Sequence, residues 1–117
     1  MSGIEGYESG RAAEEAVARH YARRGHAVLA RRWRGAGGEI DLVCARAGLI
    51  VFVEVKKARS LDAAALRLSP GQIARLQTAA LEYLGTCPKG ADSDMRFDLA
   101  CVDGVGRIVV TENAIWG

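Results

Sequence analysis

The sequence predicts one α/β domain with helices flanking a central β-sheet, and three observations carry that prediction. At 117 residues the chain has room for a single core and not for two, so residues 1–117 read as one domain with its core from about residue 9 to 113. Half of the residues are hydrophobic and 26% are charged, the proportions of a folded globular chain. Stretches with helical spacing alternate with β-branched runs in the order α-β-β-β-α-β-β.

The first element runs from Ser9 to Arg24, where Ala13, Ala16, Val17, His20 and Tyr21 recur at spacings of three and four. That is the apolar stripe of an amphipathic helix, and Gly25 is placed to end it. Ala27 to Arg34 (AVLARRWR) reads as a strand, broken by Gly35-Ala36-Gly37-Gly38. EIDLVCAR and LIVFVEVKKA follow on either side of Ala47-Gly48 and read as a hairpin. After Arg59, SLDAAALRLS lacks alternation and leaves room for a short helical turn begun by Asp62. Ser69-Pro70-Gly71-Gln72 then marks a helix, with Ser at the N-cap, Pro at the first position and Gln where a capping box needs it. It should run to about Leu84 and stop at Gly85. MRFDLACVD and RIVVTENAI, joined at Gly104-Val105-Gly106, supply the last two strands.

Charge and cysteine usage narrow the function classes. The net charge of +2 is too small to name a partner, but no acidic residue separates Glu15 from Glu39. That interval holds Arg19, Arg23, Arg24, Arg31, Arg32 and Arg34, which suits a phosphate backbone; the plainer account is solvating charge carried as arginine. Cys44, Cys87 and Cys101 are isolated, so zinc is not expected. An odd number of thiols and the lack of a signal-peptide pattern point to a reducing cytoplasm. The longest apolar run, Leu49 to Val55, is too short to cross a bilayer, and no membrane partner is expected.

The chemistry resides in GEID (Gly38 to Asp41) and VEVK (Val53 to Lys56), which put charged groups inside apolar strands. Charge in such a place needs a reason. Alternation puts Glu54 and Lys56 on one face. If Ala47-Gly48 is a two-residue loop, Arg46 lies opposite Leu49, Asp41 opposite Glu54 and Glu39 opposite Lys56. A three-residue loop with Gly48 left-handed competes and would set Asp41 opposite Val53. In the first register two carboxylates meet, and a divalent cation would relieve their repulsion. Mg²⁺ or Mn²⁺ takes such hard oxygen ligands and would drive phosphodiester hydrolysis, with Lys56 holding the attacking water.

These motifs, GEIDLV, then FVEVKKARS, after a helix bearing Glu14 and before RFDLACV, resemble the YraN-type family of small bacterial proteins. That family is similar to archaeal Holliday-junction resolvases and other nucleases of the PD-(D/E)xK, restriction-endonuclease-like fold, and the resemblance spans about Gly10 to Val102. It implies that Asp41 and Glu54 bind metal, with the Val55 carbonyl a further ligand. By the same likeness Lys56 is the catalytic lysine, and Glu14 completes the cluster from the first helix. The sequence departs from the pattern at three places: Ile40 where the motif has proline, Gln72 where lysine is frequent, and Arg32 where asparagine is common.

The expected activity is therefore that of a metal-dependent endonuclease acting on DNA, branched DNA included. Arg19, Arg23, Arg32, Arg34, Lys57, Arg59, Gln72 and Arg75 are the residues expected to touch nucleic acid. A homodimer is expected by analogy alone. The alternatives are a nucleic-acid-binding module with the same fold and little turnover, and a protein-interaction domain. From spacing alone, a structural salt bridge explains Asp41, Glu54 and Lys56 equally well. His20, His26 and Trp33 are read as packing or capping residues, and Glu39 as either a partner of Lys56 or a surface group.

Overall fold

The computed structural model describes the backbone of residues 3–65 and 68–114 and the side chains of residues 10–63 and 68–114. Its elements are α1 (Gly3–Arg23), β1 (Ala27–Arg34), β2 (Glu39–Arg46), β3 (Leu49–Lys57), α2 (Leu61–Ala65), α3 (Pro70–Leu84), β4 (Asp94–Val102) and β5 (Ile108–Thr111). The strands form one sheet in chain order, parallel between β3 and β4 and antiparallel elsewhere. Parallel neighbours need a crossover, and α2 and α3 supply it. This mixed sheet flanked by helices is the predicted α-β-β-β-α-β-β order with a short helix added, and it is compatible with the restriction-endonuclease-like architecture.

Local chemistry sets most boundaries. α1 ends as the glycine required: Gly25 takes φ +86, His26 N–H reaches the Tyr21 carbonyl (3.1 Å) and Gly25 N–H the Ala22 carbonyl (3.1 Å). These two bonds satisfy carbonyls that a helix end otherwise leaves without partners. At α3 the full capping box forms, with Ser69 Oγ accepting from Gln72 N–H and Gln72 Oε1 accepting from Ser69 N–H, each at 3.1 Å. Three expectations shift. α1 starts at Gly3 rather than Ser9. α2 is opened by Ser60, whose hydroxyl accepts the Ala63 N–H at 3.1 Å, and not by Asp62; Leu66 and Arg67 lie outside the described residues. β5 stops at Thr111, short of the expected RIVVTENAI, where Asn113 turns left-handed with φ +57; Ile115 lies outside the described residues.

Each sheet face carries its own core. Ala13, Val17, Ala18 and Tyr21 of α1 pack on Leu42, Cys44, Val51, Val53, Ala100 and Val102. On the other face Leu76, Ala79, Ala80 and Leu84 of α3 cover Ile40, Val43, Phe52 and Phe97. Burying each large aliphatic or aromatic side chain stabilises the fold by about 1.5–3 kcal/mol, which makes these two layers the main source of stability. Trp33 joins the α3 layer, edge-on to Tyr83 at 5.4 Å between ring centroids, so its packing role holds. His26 Nδ1 sits 3.3 Å from the Tyr21 carbonyl, the capping position expected of it.

The register of the central hairpin resolves in favour of the two-residue loop. Arg46 pairs with Leu49, Ala45 with Ile50, Cys44 with Val51, Val43 with Phe52 and Leu42 with Val53. Ala47 and Gly48 take φ +51 and +83, the two left-handed positions of a type I′ turn. Placing alanine there costs roughly 1 kcal/mol, less than exposing either buried strand face by a one-residue slip.

Candidate active site

A regular strand sends Ile40 and Leu42 to the same face, yet here they pack on opposite faces, Ile40 beneath α3 and Leu42 beneath α1. The reversal is matched across the sheet. In β1, Arg31 pairs with Leu42 and Trp33 with Ile40, while Arg32 between them takes φ +48. β1 and β2 therefore kink together at Arg32 and Asp41 without losing register. Asparagine tolerates this left-handed conformation better than most side chains, and arginine does not.

The kink coincides with the end of the β2–β3 ladder at Leu42 and Val53. Beyond it the Asp41 carboxylate, rather than a main-chain carbonyl, accepts the Val55 N–H at 2.8 Å. The strands part here and leave an open cleft. Glu14, Glu39, Asp41, Glu54, Val55 and Lys56 line it, with Gln72, Arg75 and Leu76 of α3 forming the opposite wall.

Glu54 and Lys56 share a face as alternation required, with Nζ 3.0 Å from Oε2 and each side chain 13% exposed. The Asp41 carboxyl lies within hydrogen-bonding reach of Glu54. Burial, then the Glu54 charge, push the Asp41 carboxyl up to about 7, against the opposing pull of the Val55 amide and Lys56. Glu14 arrives from α1. Burial raises its carboxyl above the ordinary value, the Arg32 hydrogen bond (2.6 Å) opposes that, and the charges of Asp41 and Glu39 add to the rise. Four carboxylates thus line the cleft, with Glu14 feeling Asp41 and Glu39, and Asp41 feeling Glu54.

The other expected residues divide. Gln72 and Arg75 belong to the cleft wall, although the Gln72 side chain is engaged by its capping box. Glu39 pairs with Arg34 at 3.2 Å and not with Lys56. Arg32 pairs with Glu14, and Arg31 with Glu15. These pairs are partly exposed, so each contributes about 0–1 kcal/mol and exchanges partners at little cost. Arg19, Arg23 and Arg59 are exposed, Lys57 is half-buried, and none of the four lines the cleft.

Glu82 and Asp98 are among the acidic residues that escaped the sequence reading. Glu82 of α3 accepts the N–H groups of Ala36 (2.9 Å) and Gly37 (2.7 Å), tying down the loop that leads into β2. A Cβ on Gly37 would sit 2.4 Å from Thr78 Cγ2, which explains why that loop is glycine-rich. Asp98 is fully buried and accepts from Tyr21 (2.6 Å), from Arg96 twice (2.8 and 3.0 Å) and from the Asn113 amide (3.0 Å). Its signal was a charge inside the apolar run FDLACV, the criterion that singled out Glu54.

The donor set suits a hard divalent cation. Among the described residues no three His, Cys, Asp or Glu side chains stand close enough to enclose a metal ion. Asp41 and Glu54 offer the hard carboxylate oxygens that Mg²⁺ takes, commonly one or two from protein with its other positions left to water and phosphate.

The comparisons with known proteins agree on one family. The profile of the uncharacterised protein family UPF0102 matches residues 13–102, which contain the second half of α1, β1, the hairpin, α3 and β4. A UPF0102 protein of Cereibacter sphaeroides is 51% identical over 114 residues, covering 97% of both chains. UPF0102 proteins of Roseobacter denitrificans and Ruegeria pomeroyi are 46% and 47% identical, over 97% and 96% of this chain and 88% and 91% of theirs. Among the described residues no helix is long and apolar enough to cross a membrane. With the match spanning most of the fold and relatives about 50% identical along nearly the whole chain, the chain belongs to the YraN-like family UPF0102.

Proposed function

We propose that this protein is a metal-dependent endonuclease that hydrolyses DNA phosphodiesters, with branched DNA among its substrates. One observation carries the reading: two carboxylates, Asp41 and Glu54, meet beside Lys56 at the point where β2 and β3 part. Asp41 and Glu54 would hold Mg²⁺ or Mn²⁺, with the Val55 carbonyl as a further ligand and Glu14 in support. The bound ion supplies Lewis-acid polarisation of the phosphodiester and a more acidic water. Lys56, oriented by Glu54 at 3.0 Å, holds the attacking water or the charge that develops on the phosphate. Arg75, on the far wall, binds the flanking backbone.

Cleavage of four-way and single-stranded DNA with Mn²⁺ or Mg²⁺ tests the proposal. Wild-type protein should cut, and Asp41→Asn and Lys56→Ala should each lose at least about a hundredfold in rate. Equal rates in wild type and Asp41→Asn would end the nuclease reading. A second reading, a DNA-binding module with little turnover, draws on the ion pairs that already engage Glu14 and Glu54. DNA binding by wild type without metal-dependent cleavage of any of these substrates would favour it.

A further inference from the structure

A second cavity adjoins the cleft on the α1 side of Asp41, lined by Arg11, Glu14, Glu15, Arg31, Arg32 and Asp41. Glu14 and Asp41 belong to both cavities and form the ridge between them. In a regular strand Arg31 and Arg32 would point to opposite faces. The left-handed turn at Arg32 instead lets both pair with successive residues of α1, Arg31 with Glu15 and Arg32 with Glu14 at 2.6 Å. A non-glycine residue in that conformation is strained, and the strain here gathers guanidinium groups on one wall.

We propose that this arginine cavity is a phosphate subsite for the nucleic-acid backbone, in which Glu14 and Glu15 occupy the phosphate-binding arginines until a strand arrives. The proposal rests on the nuclease reading for its account of Glu14 and Asp41. Three arginines face three acidic side chains in this cavity. With Asp41 neutralised by a divalent cation the arginines would be in excess, and Glu14, whose charge already feels Asp41, would be the carboxylate to leave Arg32. Arg32 then turns from Glu14 to a phosphate oxygen, and Arg31 from Glu15 to the same group. Guanidinium matches phosphate geometry with two parallel hydrogen bonds, so the exchange favours the nucleic acid over the exposed carboxylates. The strand would cross the Glu14–Asp41 ridge with its scissile bond in one cavity and the neighbouring phosphate in the other.

The test is binding, read with Ca²⁺ in place of Mg²⁺ so that turnover does not interfere. Probes are a fluorescent single-stranded oligonucleotide, a four-way junction and inorganic phosphate. Arg31→Gln with Arg32→Asn, the latter chosen because asparagine accepts the left-handed backbone, should weaken oligonucleotide binding about tenfold or more. The salt slope should fall by about 0.7 per lost single-strand contact. Glu15→Gln should strengthen binding, because it releases Arg31. Lys89→Ala, the loss of one positive charge in the loop after α3, should do neither. Oligonucleotide affinity that ignores the arginine double variant, or that drops in Glu15→Gln, overturns the subsite. Phosphate binding that depends on these arginines while oligonucleotide binding does not would make it a small-anion site and overturn the backbone assignment. Should the binding effects hold while Asp41→Asn leaves cleavage unchanged, the subsite stands and the nuclease reading falls.

Discussion

Two aspartates on neighbouring parts of the sheet show what separates a structural charge from a poised one. Asp98 is 0% exposed, yet four hydrogen bonds from Tyr21, Arg96 and the Asn113 amide satisfy its oxygens. Asp41 is less buried but has one main-chain donor and a second carboxylate beside it. Full satisfaction makes a buried charge rigid and specific, whereas a deficit of donors leaves it ready for a proton or a cation. Burial alone therefore does not mark a poised carboxylate; the supply of donors does.

The largest expected effect comes from breaking the satisfied member. Asp98→Ala leaves the Arg96 guanidinium and the Tyr21 hydroxyl without their acceptor and should cost about 3–5 kcal/mol in urea unfolding. Asp41→Asn should do the opposite in metal-free protein. It keeps an oxygen for the Val55 amide, removes repulsion from Glu54, and should stabilise the fold near pH 8. Loss of stability in Asp41→Asn comparable to that of Asp98→Ala would erase the distinction.

A pH titration sharpens the same contrast. The Asp41 carboxyl is raised from its ordinary 3.8 to about 7, so folding favours its protonated form. The stability it contributes is full below about pH 4 and is lost as pH rises through about 7. The metal-free protein should thus lose on the order of 2–4 kcal/mol of its stability across that window. Added Mg²⁺ should restore much of it at pH 8, and Asp41→Asn should flatten the profile. A wild-type curve that climbs from pH 4 to 7 would contradict the assignment.

The smallest expected effect concerns the loop that feeds Asp41. Glu82→Ala removes the acceptor of two loop amides and should cost about 1–2 kcal/mol, while Glu82→Gln keeps an oxygen and should cost less. Faster amide hydrogen exchange at Ala36 and Gly37 in Glu82→Ala, with α1 unchanged, is the local signature. No change at those two amides would show that the loop holds itself.

Much of the fold was legible because its signals are local. Ser69-Pro70-Gly71-Gln72 carries its own capping chemistry, Gly25 its own left-handed turn, and Glu54 and Lys56 are placed on one face by alternation alone. The approach of Asp41 to Glu54 was legible only as one of two registers, since Ile40, Leu42, Val43 and Cys44 are all fit to be buried on either face. Of the two readings of Glu39 the surface one holds, because the pair count that set it opposite Lys56 assumes an ideal ladder and ignores the kink at Asp41. Glu82 was missed because its partners lie some 45 residues away in the chain.

By itself, the sequence determined the element order, the helix caps, the alternation that unites Glu54 with Lys56, and the presence of charges that a core strand does not tolerate without cause. Only the tertiary structure decided the hairpin register, the joint kink of β1 and β2, and the arrival of Glu14 and Arg75 from two helices on opposite faces. The reason is physical. Periodicity and capping arise within a few residues, whereas a site at the parting of two strands exists only once the sheet and both helices compete for the same space.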